Sequence, residues 1–352
     1  MSPLRRRISP QKKNIVTIHE VAAHAGVSTA TISRVLAGVD GAAGAEVRER
    51  VFNAVRKLDY QPNRLARSLR VQHRKVVAVV IPDLQNPFFT GVVHGVENVL
   101  CEAGYTLLLG HSDDRADREE RHLGVLRGEA ADGLILIPSN APTANYAMLA
   151  QWKLPLVAVD RAPRGLSIDL VHTDNCAGAH EAVNHLLKLG HKAIALINGP
   201  ESFDVSVQRR KGYLKALAHA GVKAFKPWQQ TGNFRQASGY EAMLQLLALP
   251  KPPRAVLVAN NLMTLGALAA IHEKKLRIPD DIAVIGFDDM PWAPSLNPAL
   301  TAIAQPAIEL GQAAATLLLE RIAMPSRPTQ SIMLRTQLVI RASCGAKPQP
   351  SP

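Results

Sequence analysis

The sequence TIHEVAAHAGVSTATISRVL, from Thr17 to Leu36, decides how the first part of this chain folds. Apolar residues recur with helical spacing on both sides of a glycine: Ile18, Val21 and Ala22 before it, and Ile32, Val35 and Leu36 after it. Thr17 and Glu20 have the spacing of a capping box, and Ser28 can cap a second helix. Gly26 permits a tight turn because it has no Cβ. The stretch therefore predicts a helix-turn-helix, with an ordinary helical hairpin as the alternative.

Positive charge is concentrated in the first fifth of the chain. Residues 1–75 carry 15 of the 41 Lys and Arg residues but only 5 of the 29 Asp and Glu residues, so most of the net charge of +12 lies there. Lys and Arg side chains gain affinity for nucleic acids by releasing counterions from phosphates. We therefore expect this segment to bind a polyanion; the alternative is a basic surface that contacts only solvent.

Cysteine content and the first residues bear on where the protein works. Cys101, Cys176 and Cys344 are odd in number and form no CxxC pair, which indicates a reducing compartment and argues against a zinc ribbon. The first residues are charged and lack the apolar region of a signal peptide, and no apolar run approaches the roughly 18 residues of a membrane span. The sequence predicts a cytoplasmic protein with no membrane partner.

Two further helical segments follow the helix-turn-helix. Residues 45–58 combine an apolar stripe with an arginine- and lysine-rich face, which predicts a third helix. Within residues 61–75, Asn63 can cap a short basic helix that has Leu65 and Leu69 on one side. A helix of about two turns is marginal alone, so we expect it to form only with a partner.

From residue 76 the pattern changes to apolar runs typical of buried parallel strands, separated by segments of helix length. A first series of runs occupies residues 75–81, 105–110, 132–137 and 156–160, and a second occupies residues 193–197, 255–259 and 282–288. Two series predict two doubly wound parallel sheets, one in each of two lobes. A ligand crevice is expected where the carboxyl ends of the strands meet.

Taken together, the motifs of both parts resemble those of the lactose-repressor (LacI/GalR) family of transcription regulators. In the first part they are Val16 to Ile18, Val21-Ala22, Ala25 to Ser28, Thr31 to Leu36, Tyr60 to Asn63 and Ala66 to Leu69. In the second part they include Pro82-Asp83, Asn86 to Phe89, Asp132-Gly133, Asp174-Asn175, Gly199-Pro200, Gly212-Tyr213, Ser238 to Tyr240, Gly286 to Asp289 and Gln305-Pro306. The resemblance extends over residues 15–342, in the order that the family has.

The resemblance implies an N-terminal all-α helix-turn-helix head with a hinge helix, joined to an α/β two-lobed core like that of periplasmic binding proteins. The expected domains are a basic disordered arm at residues 1–14, the head at 15–60, the hinge at 61–75, the effector-binding and dimerisation core at 76–342, and a tail at 343–352. The two lobes are expected to divide near residue 175. The chain is expected to cross between them again near residues 305 and 323.

The resemblance also implies which residues contact DNA: Thr17, Ser28, Thr29, Ala30, Thr31, Ser33, Arg34, Asn63 and Leu69. Arg34 is suited to bidentate contact with guanine, whereas Ala30 can offer only an apolar contact. The hydroxyl residues other than Thr29 are expected to contact phosphates or to cap helices. Leu69 corresponds to a leucine that wedges between base pairs in the minor groove; simple core packing is its alternative.

At the other end, the resemblance implies eight effector-binding residues: Phe88, Phe89, Asp160, Phe203, Arg209, Phe234, Asn260 and Asp288. Aromatic faces stack on sugar rings, and Arg, Asn and Asp side chains hydrogen-bond sugar hydroxyls. The set points to a sugar, polyol or sugar acid, and it includes no catalytic residue, cofactor or metal. Core packing is the alternative for Phe88 and Phe234, but a buried charge such as Arg209 needs a partner.

An enzyme and a periplasmic sugar-binding protein are the rival classes. The sequence has no P-loop, GxGxxG, HExxH or GxSxG motif, and the basic head argues against a periplasmic protein. Cys176 and His180 have a spacing that can share a metal, but a site needs further ligands. We therefore expect a homodimeric transcriptional repressor that binds operator DNA and is not an enzyme. A small-molecule effector, either inducer or corepressor, is expected to control it by shifting the population of lobe arrangements.

Overall fold

The computed structural model describes residues 16–36, 39, 41–60, 74–128, 131–139, 146, 148, 149, 151, 152, 154–163 and 165–346. The chain divides into two compact units, Met1–Arg74 and Lys75–Pro352, which we call the head and the core. The hinge residues Asn63, Leu65 and Leu69 and the arm at residues 1–14 lie outside the described residues. The roles expected for them stay predictions.

In the described part of the head, three helices follow one another: α1 (Ile18–Ala25), α2 (Thr29–Leu36) and α3 (Ala45–Lys57). The capping box is formed, since the Glu20 N–H donates to Thr17 Oγ1 at 3.4 Å and the Thr17 N–H donates to Glu20 Oε2 at 2.6 Å. Gly26 ends α1 with a φ of 66°, and the Thr31 N–H donates to Ser28 Oγ at 3.1 Å. The predicted helix-turn-helix is therefore confirmed.

The three helices bury one apolar core between them. Its members are Val21, Ala22, Ala25, Ile32, Val35, Val51 and Ala54. Full burial of a side chain such as valine or isoleucine stabilises a fold by about 1.5–3 kcal/mol, so this small core holds the module together. Because Ile32 and Val35 face the core, the opposite side of α2 is left on the surface.

Each lobe of the core is built on a six-stranded sheet within the described residues. The first sheet contains β1 (Val76–Ile81), β2 (Thr106–His111), β3 (Gly133–Leu136), β4 (Leu156–Val159), β5 (Asp169–Thr173) and β11 (Ser331–Leu334), in the order β11-β5-β4-β3-β1-β2. The second contains β6 (Ile194–Asn198), β7 (Gln229–Thr231), β8 (Ala255–Val258), β9 (Ala283–Phe287), β10 (Thr301–Ala304) and β12 (Gln337–Val339), in the order β12-β10-β9-β8-β6-β7.

Helices cover both faces of each sheet. The first sheet packs against α4 (Pro87–Glu102), α5 (Ala116–Gly128) and α10 (Ala307–Ala323), and the second packs against α6 (Asn175–Lys188), α7 (Asp204–His219), α8 (Gln236–Leu247) and α9 (Asn261–Glu273). Central strands such as β3 and β8 are buried along their whole length. This burial explains why those strands read as continuous apolar runs in the sequence. No helix in the described part of the chain is both long and apolar enough to span a bilayer.

The structure corrects three details of the expected core. β12 pairs antiparallel with β10, so the second sheet is mixed, not wholly parallel. The chain crosses between lobes at residue 174 and at residues 305–306, but the third crossing lies at residues 335–336 instead of near residue 323. The reason is that β11, which follows α10, still pairs with β5 of the first lobe. β2 is an edge strand, and Leu108 and Leu109 are 44% and 40% exposed instead of buried.

Candidate DNA and effector sites

The surface of α2 carries most of the residues predicted to contact DNA. Ala30, Ser33 and Arg34 are exposed, while Thr29 and Thr31 are half-buried. This arrangement follows from helical periodicity, because the apolar positions of α2 face the head core. Arg34 lies in the last turn of the helix. The guanidinium of Arg34 carries several N–H donors. On the exposed side of α2 these donors can contact an anionic ligand.

Two of the predicted hydroxyl residues already take part in helix caps. Thr17 Oγ1 donates to Glu20 Oε2 at 3.0 Å, and Ser28 Oγ lies 2.9 Å from Thr31 Oγ1. The capping role that the sequence suggested for Thr17 and Ser28 is therefore observed. Contacts from these hydroxyls to phosphates stay a prediction.

A crevice separates the two lobes of the core at the carboxyl ends of their strands. From the first lobe it is lined by Asp83, Asn86, Phe88, Phe89, Asp114, Asp160 and Arg161. From the second lobe it is lined by Val205, Arg209, Phe234, Arg235, Asn260 and Asp288, with Gln305 at a crossing between the lobes. The crevice thus has the location that doubly wound sheets favour for ligands.

Seven of the eight residues expected at the effector site line this crevice. They are Phe88, Phe89, Asp160, Arg209, Phe234, Asn260 and Asp288. Phe203 does not line it, and a contact between Phe203 and an effector stays a prediction. Phe203 forms part of an adjoining cavity, because the Arg161 guanidinium lies 4.2 Å from its ring centroid and covers its face.

Asp160 and Asp288 occupy equivalent places in the two lobes. Asp160 follows β4 and Asp288 follows β9, and both have a positive φ, of 66° and 74°. Such a backbone conformation costs a residue other than glycine about 1–3 kcal/mol and persists only where surrounding structure enforces it. Burial raises the pKa of both carboxyls, and the neighbouring Arg209 opposes this shift in each.

The two carboxylates differ in how their oxygens are used. Asp288 Oδ1 accepts from Gln305 Nε2 at 2.6 Å, and Asp288 Oδ2 accepts from the Asn261 N–H at 3.2 Å. Asp160 Oδ2 lies 3.3 Å from Arg161 Nε, but Asp160 Oδ1 is buried and has no hydrogen-bond partner among the described residues. A buried acceptor without a partner costs about 1–3 kcal/mol. A contact between this oxygen and an effector stays a prediction.

Arg209 is held firmly by its own lobe. Its Nε donates to Asn175 Oδ1 at 2.7 Å, its Nη1 donates to the carbonyl of Ala259, and its guanidinium lies 3.8 Å from the Phe287 ring centroid. Burial lowers the pKa of Arg209, and Asp288 opposes that shift. These contacts leave Nη2 as the part of the guanidinium that can donate to a ligand.

Asn260 also has a structural role. Its Oδ1 accepts from the Met263 N–H at 2.8 Å and caps α9, while its Nδ2 donates to the carbonyl of Phe234 at 3.3 Å. Asn260 therefore fixes the start of a helix and the backbone of an aromatic residue of the crevice. A direct contact between Asn260 and an effector stays a prediction.

Arg161 is a site residue that sequence reasoning missed. Its Nη1 donates to Asp114 Oδ1 at 2.9 Å, and its guanidinium lies against Phe203, with the Phe89 and Phe234 ring centroids 5.9 Å away. Arg161 therefore joins charged groups of the first lobe to aromatic rings of both lobes. Arg161 directly follows Asp160 at the end of a strand, and this position is the sequence feature that indicates a crevice residue.

Polar bridges between the lobes were also missed. Arg235 of the second lobe pairs with Asp83 and, at 2.8 Å, with Asp113 of the first. Asn261 Nδ2 donates to Asn86 Oδ1 at 2.7 Å across the same gap. These contacts join residues that are far apart in the sequence, so no local pattern predicts them.

Cys176 and His180, whose spacing could suit a shared metal, are not part of a metal site in the described part of the chain. Within the described residues, no group of three or more His, Cys, Asp and Glu side chains is arranged to hold a metal ion. His180 instead lies next to His219, with Nε2 and Nδ1 3.4 Å apart. Burial lowers the pKa of His180, and the neighbouring His219 adds to that effect.

Comparisons with known proteins agree with this architecture. A family model for bacterial regulatory proteins of the lacI family matches residues 17–63, and one for a periplasmic binding protein-like domain matches residues 183–344. The chain is 36% identical over 336 residues to the HTH-type transcriptional repressor PurR of Erwinia tasmaniensis, covering 95% of this chain and 98% of that repressor. The chain belongs to the LacI family. The resemblance inferred from the motifs is therefore confirmed.

Solved structures of LacI-family proteins share the fold. The chain is similar to a Lac repressor dimer bound to operator and the anti-inducer ONPF, with a TM-score of 0.83, 28% identity, and 94% of this chain and 99% of that chain covered. It is also similar to the transcriptional regulator CelR in complex with cellobiose, with a TM-score of 0.72, 33% identity, and 93% and 99% covered. The predicted fold class is confirmed. This LacI-family chain is a DNA-binding repressor and not an enzyme.

Proposed function

We propose that this repressor is a cytoplasmic homodimer that binds a pseudo-palindromic operator and is controlled by a sugar, polyol or sugar acid bound between the lobes of its core. The observation that carries the effector proposal is the buried Oδ1 of Asp160 at the lining of the crevice, which has no hydrogen-bond partner in the part of the chain that the structure describes. A ligand hydroxyl that donates to this oxygen relieves its desolvation penalty. Polar groups in this role give a ligand both affinity and orientation.

The other lining residues suit the same class of ligand. Phe89 and Phe234 offer apolar faces for the carbon face of a sugar ring, and Arg209 can donate from Nη2. The similar CelR structure contains cellobiose, which supports a sugar as the effector class. Phe88, Phe89 and Phe234 also pack in the cores of their lobes, where they are 4%, 5% and 9% exposed, so core packing is the alternative role for each of these rings.

At the DNA end, Arg34 and the basic charge of the head support operator binding. The similar Lac repressor structure is a dimer on operator, which supports the same assembly for this chain. An exposed edge strand with apolar side chains supports the dimer independently, because proteins rarely leave such an edge uncovered. In β2, Leu108 and Leu109 are such side chains. We infer that this edge of the first lobe contributes to the dimer interface.

Effector binding by the core and operator binding by the head are coupled through the equilibrium between lobe arrangements. An effector shifts that equilibrium only as far as its affinities for the arrangements differ. The crevice residues come from both lobes, so a ligand that contacts both favours one separation of the lobes. We infer that this separation sets how the paired hinge segments meet DNA. An inducer and a corepressor differ only in which arrangement they favour.

Selection of binding sites from a random DNA library tests the DNA half of this proposal. We expect a two-fold symmetric motif and an affinity that falls steeply with salt, because phosphate contacts release counterions. Equal binding to all sequences would contradict the proposal that a homodimer binds an operator. Selection of a single half-site without symmetry would contradict it as well.

A thermal-shift screen with sugars, polyols and sugar acids, followed by operator titrations with each ligand that binds, tests the effector half. A ligand at 100 times its dissociation constant adds roughly 2.7 kcal/mol to the stability of the folded state. We expect Asp160→Asn to abolish both the stabilisation and the change in operator affinity. Asp117→Asn, at an exposed ion pair with Arg115, is the matched control and should keep both. Operator affinity that is unchanged by every stabilising ligand would refute effector control.

A further inference from the structure

The first residue of the core is held in a strained conformation. Lys75 directly precedes β1, at the position where the expected hinge of residues 61–75 ends. Its φ is 57°, in the left-handed region that residues other than glycine rarely adopt. Asp160, Phe234 and Asp288 also have a positive φ, but they line the crevice at the carboxyl ends of the strands. Lys75 lies at the opposite, amino end of the first sheet.

Strain of this kind persists only where the surrounding structure enforces it, and both backbone polar groups of Lys75 are engaged. The Lys75 N–H donates to Asp132 Oδ2 at 2.7 Å, and the Thr106 N–H donates to the Lys75 carbonyl at 2.7 Å. Asp132 directly precedes β3 and Thr106 begins β2, the two strands that flank β1 in the sheet. The backbone of Lys75 is therefore fixed from both sides by residues that are distant in the sequence.

The side chain of Lys75 is fixed as well. Its Nζ lies over the face of the Tyr105 ring, 4.2 Å from the ring centroid. A cation in this position is attracted electrostatically by the ring face. Tyr105 directly precedes β2 and packs against the apolar core of the first lobe, so the ring itself is held in place. We call Lys75, Tyr105 and Asp132 the entry clamp, because they surround the point where the chain enters the core.

The entry clamp lies where it can control the direction in which the chain leaves the first sheet. β1 is flanked by β2 and β3 and is buried from Val77 onward, so this strand cannot shift to follow the segment before it. The dihedral angles of Lys75 then set the direction of the chain at Arg74. A segment whose direction is fixed in advance loses less conformational freedom when it binds a partner, and this raises its affinity.

We propose that Lys75, Tyr105 and Asp132 are positioning residues for operator binding, because the entry clamp holds the hinge segments of two subunits at the separation that the operator requires. The clamp does not contact DNA and acts through the hinge. A dimer binds both half-sites together only when their spacing matches the separation of its two heads. This inference rests on the proposed function, since it requires a homodimer with one hinge in each subunit.

Substitutions of Tyr105 that change no charge test the entry clamp in the full-length protein. Tyr105→Leu removes the ring face that Lys75 covers, while Tyr105→Phe keeps it and is the matched control. Each variant is titrated with the operator that the parent chain selects, with that operator lengthened or shortened by one base pair at its centre, and with unrelated DNA. We expect Tyr105→Leu to bind the selected operator about fivefold to thirtyfold more weakly, because each of two subunits loses a cation–π contact. Tyr105→Phe should match the parent chain.

The preference for one operator length separates positioning from other roles. In Tyr105→Leu, the ratio of affinities for the selected and the altered operators should fall by the same factor, because the hinge is no longer directed. Binding to unrelated DNA should stay unchanged, since the phosphate contacts of the head are intact. Lys75→Met and Asp132→Ala should also reduce the length preference. Lys75→Arg should retain it, because a guanidinium can cover the same ring.

Parent-like operator affinity and length preference in Tyr105→Leu, Lys75→Met and Asp132→Ala would overturn the role of the entry clamp. An equal loss of affinity for selected, altered and unrelated DNA would overturn it as well, since that result indicates a lost phosphate contact. If Tyr105→Leu unfolds at a lower temperature than the parent chain, Lys75→Met decides instead, because the Lys75 side chain is exposed. A parent chain that selects no two-fold symmetric site would refute the proposed homodimer and the clamp together, whereas a symmetric site with unchanged variants refutes the clamp alone.

Discussion

Among single side chains, we expect that of Arg34 to contribute most to the recognition of DNA bases. It is exposed on α2, and its neighbours on that surface, Ala30 and Ser33, are small. A guanidinium can contact two acceptors on one guanine, whereas a methyl or hydroxyl group discriminates less. In each operator half-site, we therefore expect strong base preference mainly at the one position that Arg34 contacts.

We expect Arg34→Ala to relax base preference at one operator position and to cost about 1–3 kcal/mol of specific binding. Library selection and anisotropy titrations with the variant measure both effects. Arg56→Ala removes an equal charge from the end of α3, where Arg56 Nη2 donates to Asn53 Oδ1, and should leave the motif unchanged. The same sequence motif and affinity for Arg34→Ala and the parent chain would show that Arg34 does not read a base.

At the scale of elements, α4 and α10 are one of the closely packed helix pairs of the core. The two backbones meet where each helix has a glycine. A Cβ added to Gly95 would lie 2.0 Å from the Ile308 carbonyl oxygen, and one added to Gly311 would lie 2.0 Å from the Val92 carbonyl oxygen. Because the obstruction on each side is backbone, neither helix can yield by rotating a side chain.

We expect Gly95→Ala to lower the free energy of unfolding by at least about 1–3 kcal/mol, since an extra methyl group forces the helices apart. Gly124→Ala on α5 is the matched control, because a Cβ there meets nothing within 4 Å. The control should be neutral or stabilising by up to about 1 kcal/mol, given the helix propensity of alanine. Denaturant unfolding of both variants decides the point, and equal midpoints would contradict close packing at Gly95.

For the molecule as a whole, the contacts between the lobes determine how readily the crevice opens. Arg235 makes the charged contact across the gap with Asp83 and Asp113, and Asn261 makes a neutral one with Asn86. The Arg235 side chain is 30% exposed, so solvent screens its ion pairs and moderates their strength. We therefore expect these bridges to favour the closed arrangement of the lobes only modestly, so that a bound ligand can break them.

We expect Arg235→Ala to shift the lobes toward an open arrangement by about 1 kcal/mol, which corresponds to roughly a fivefold change in population. Hydrogen exchange of the backbone amides at residues 83–89 should accelerate by a similar factor. Arg115→Ala removes an exposed ion pair with Asp117 within the first lobe and should leave this exchange unchanged. Exchange in Arg235→Ala that matches the parent would mean that the ion pairs do not hold the lobes together.

Much of the fold could be predicted from the sequence because its signals are local. The capping box at Thr17 and the turn at Gly26 depend on residues a few positions apart, and the central strands are recognisable because they are apolar throughout. Short or polar strands such as β5 and β7 were missed, since their pairing is decided by the sheet and not by their own composition. The third crossing was misplaced for the same reason, because β11 is a strand only through its pairing with β5.

A basic helix-turn-helix ahead of two α/β lobes could be predicted from local sequence patterns, as could a group of crevice residues directly after the strands of those lobes. How the charges in that crevice pair with one another depends on the tertiary structure. Asp160 and Asp288 look alike in sequence. Within the described residues, however, both oxygens of Asp288 accept hydrogen bonds, whereas one oxygen of Asp160 has no partner. Arg235 and Asp83, 152 residues apart, meet only after both lobes have formed. Hydrogen bonding and burial depend on which distant segments come together, and local sequence patterns do not record that.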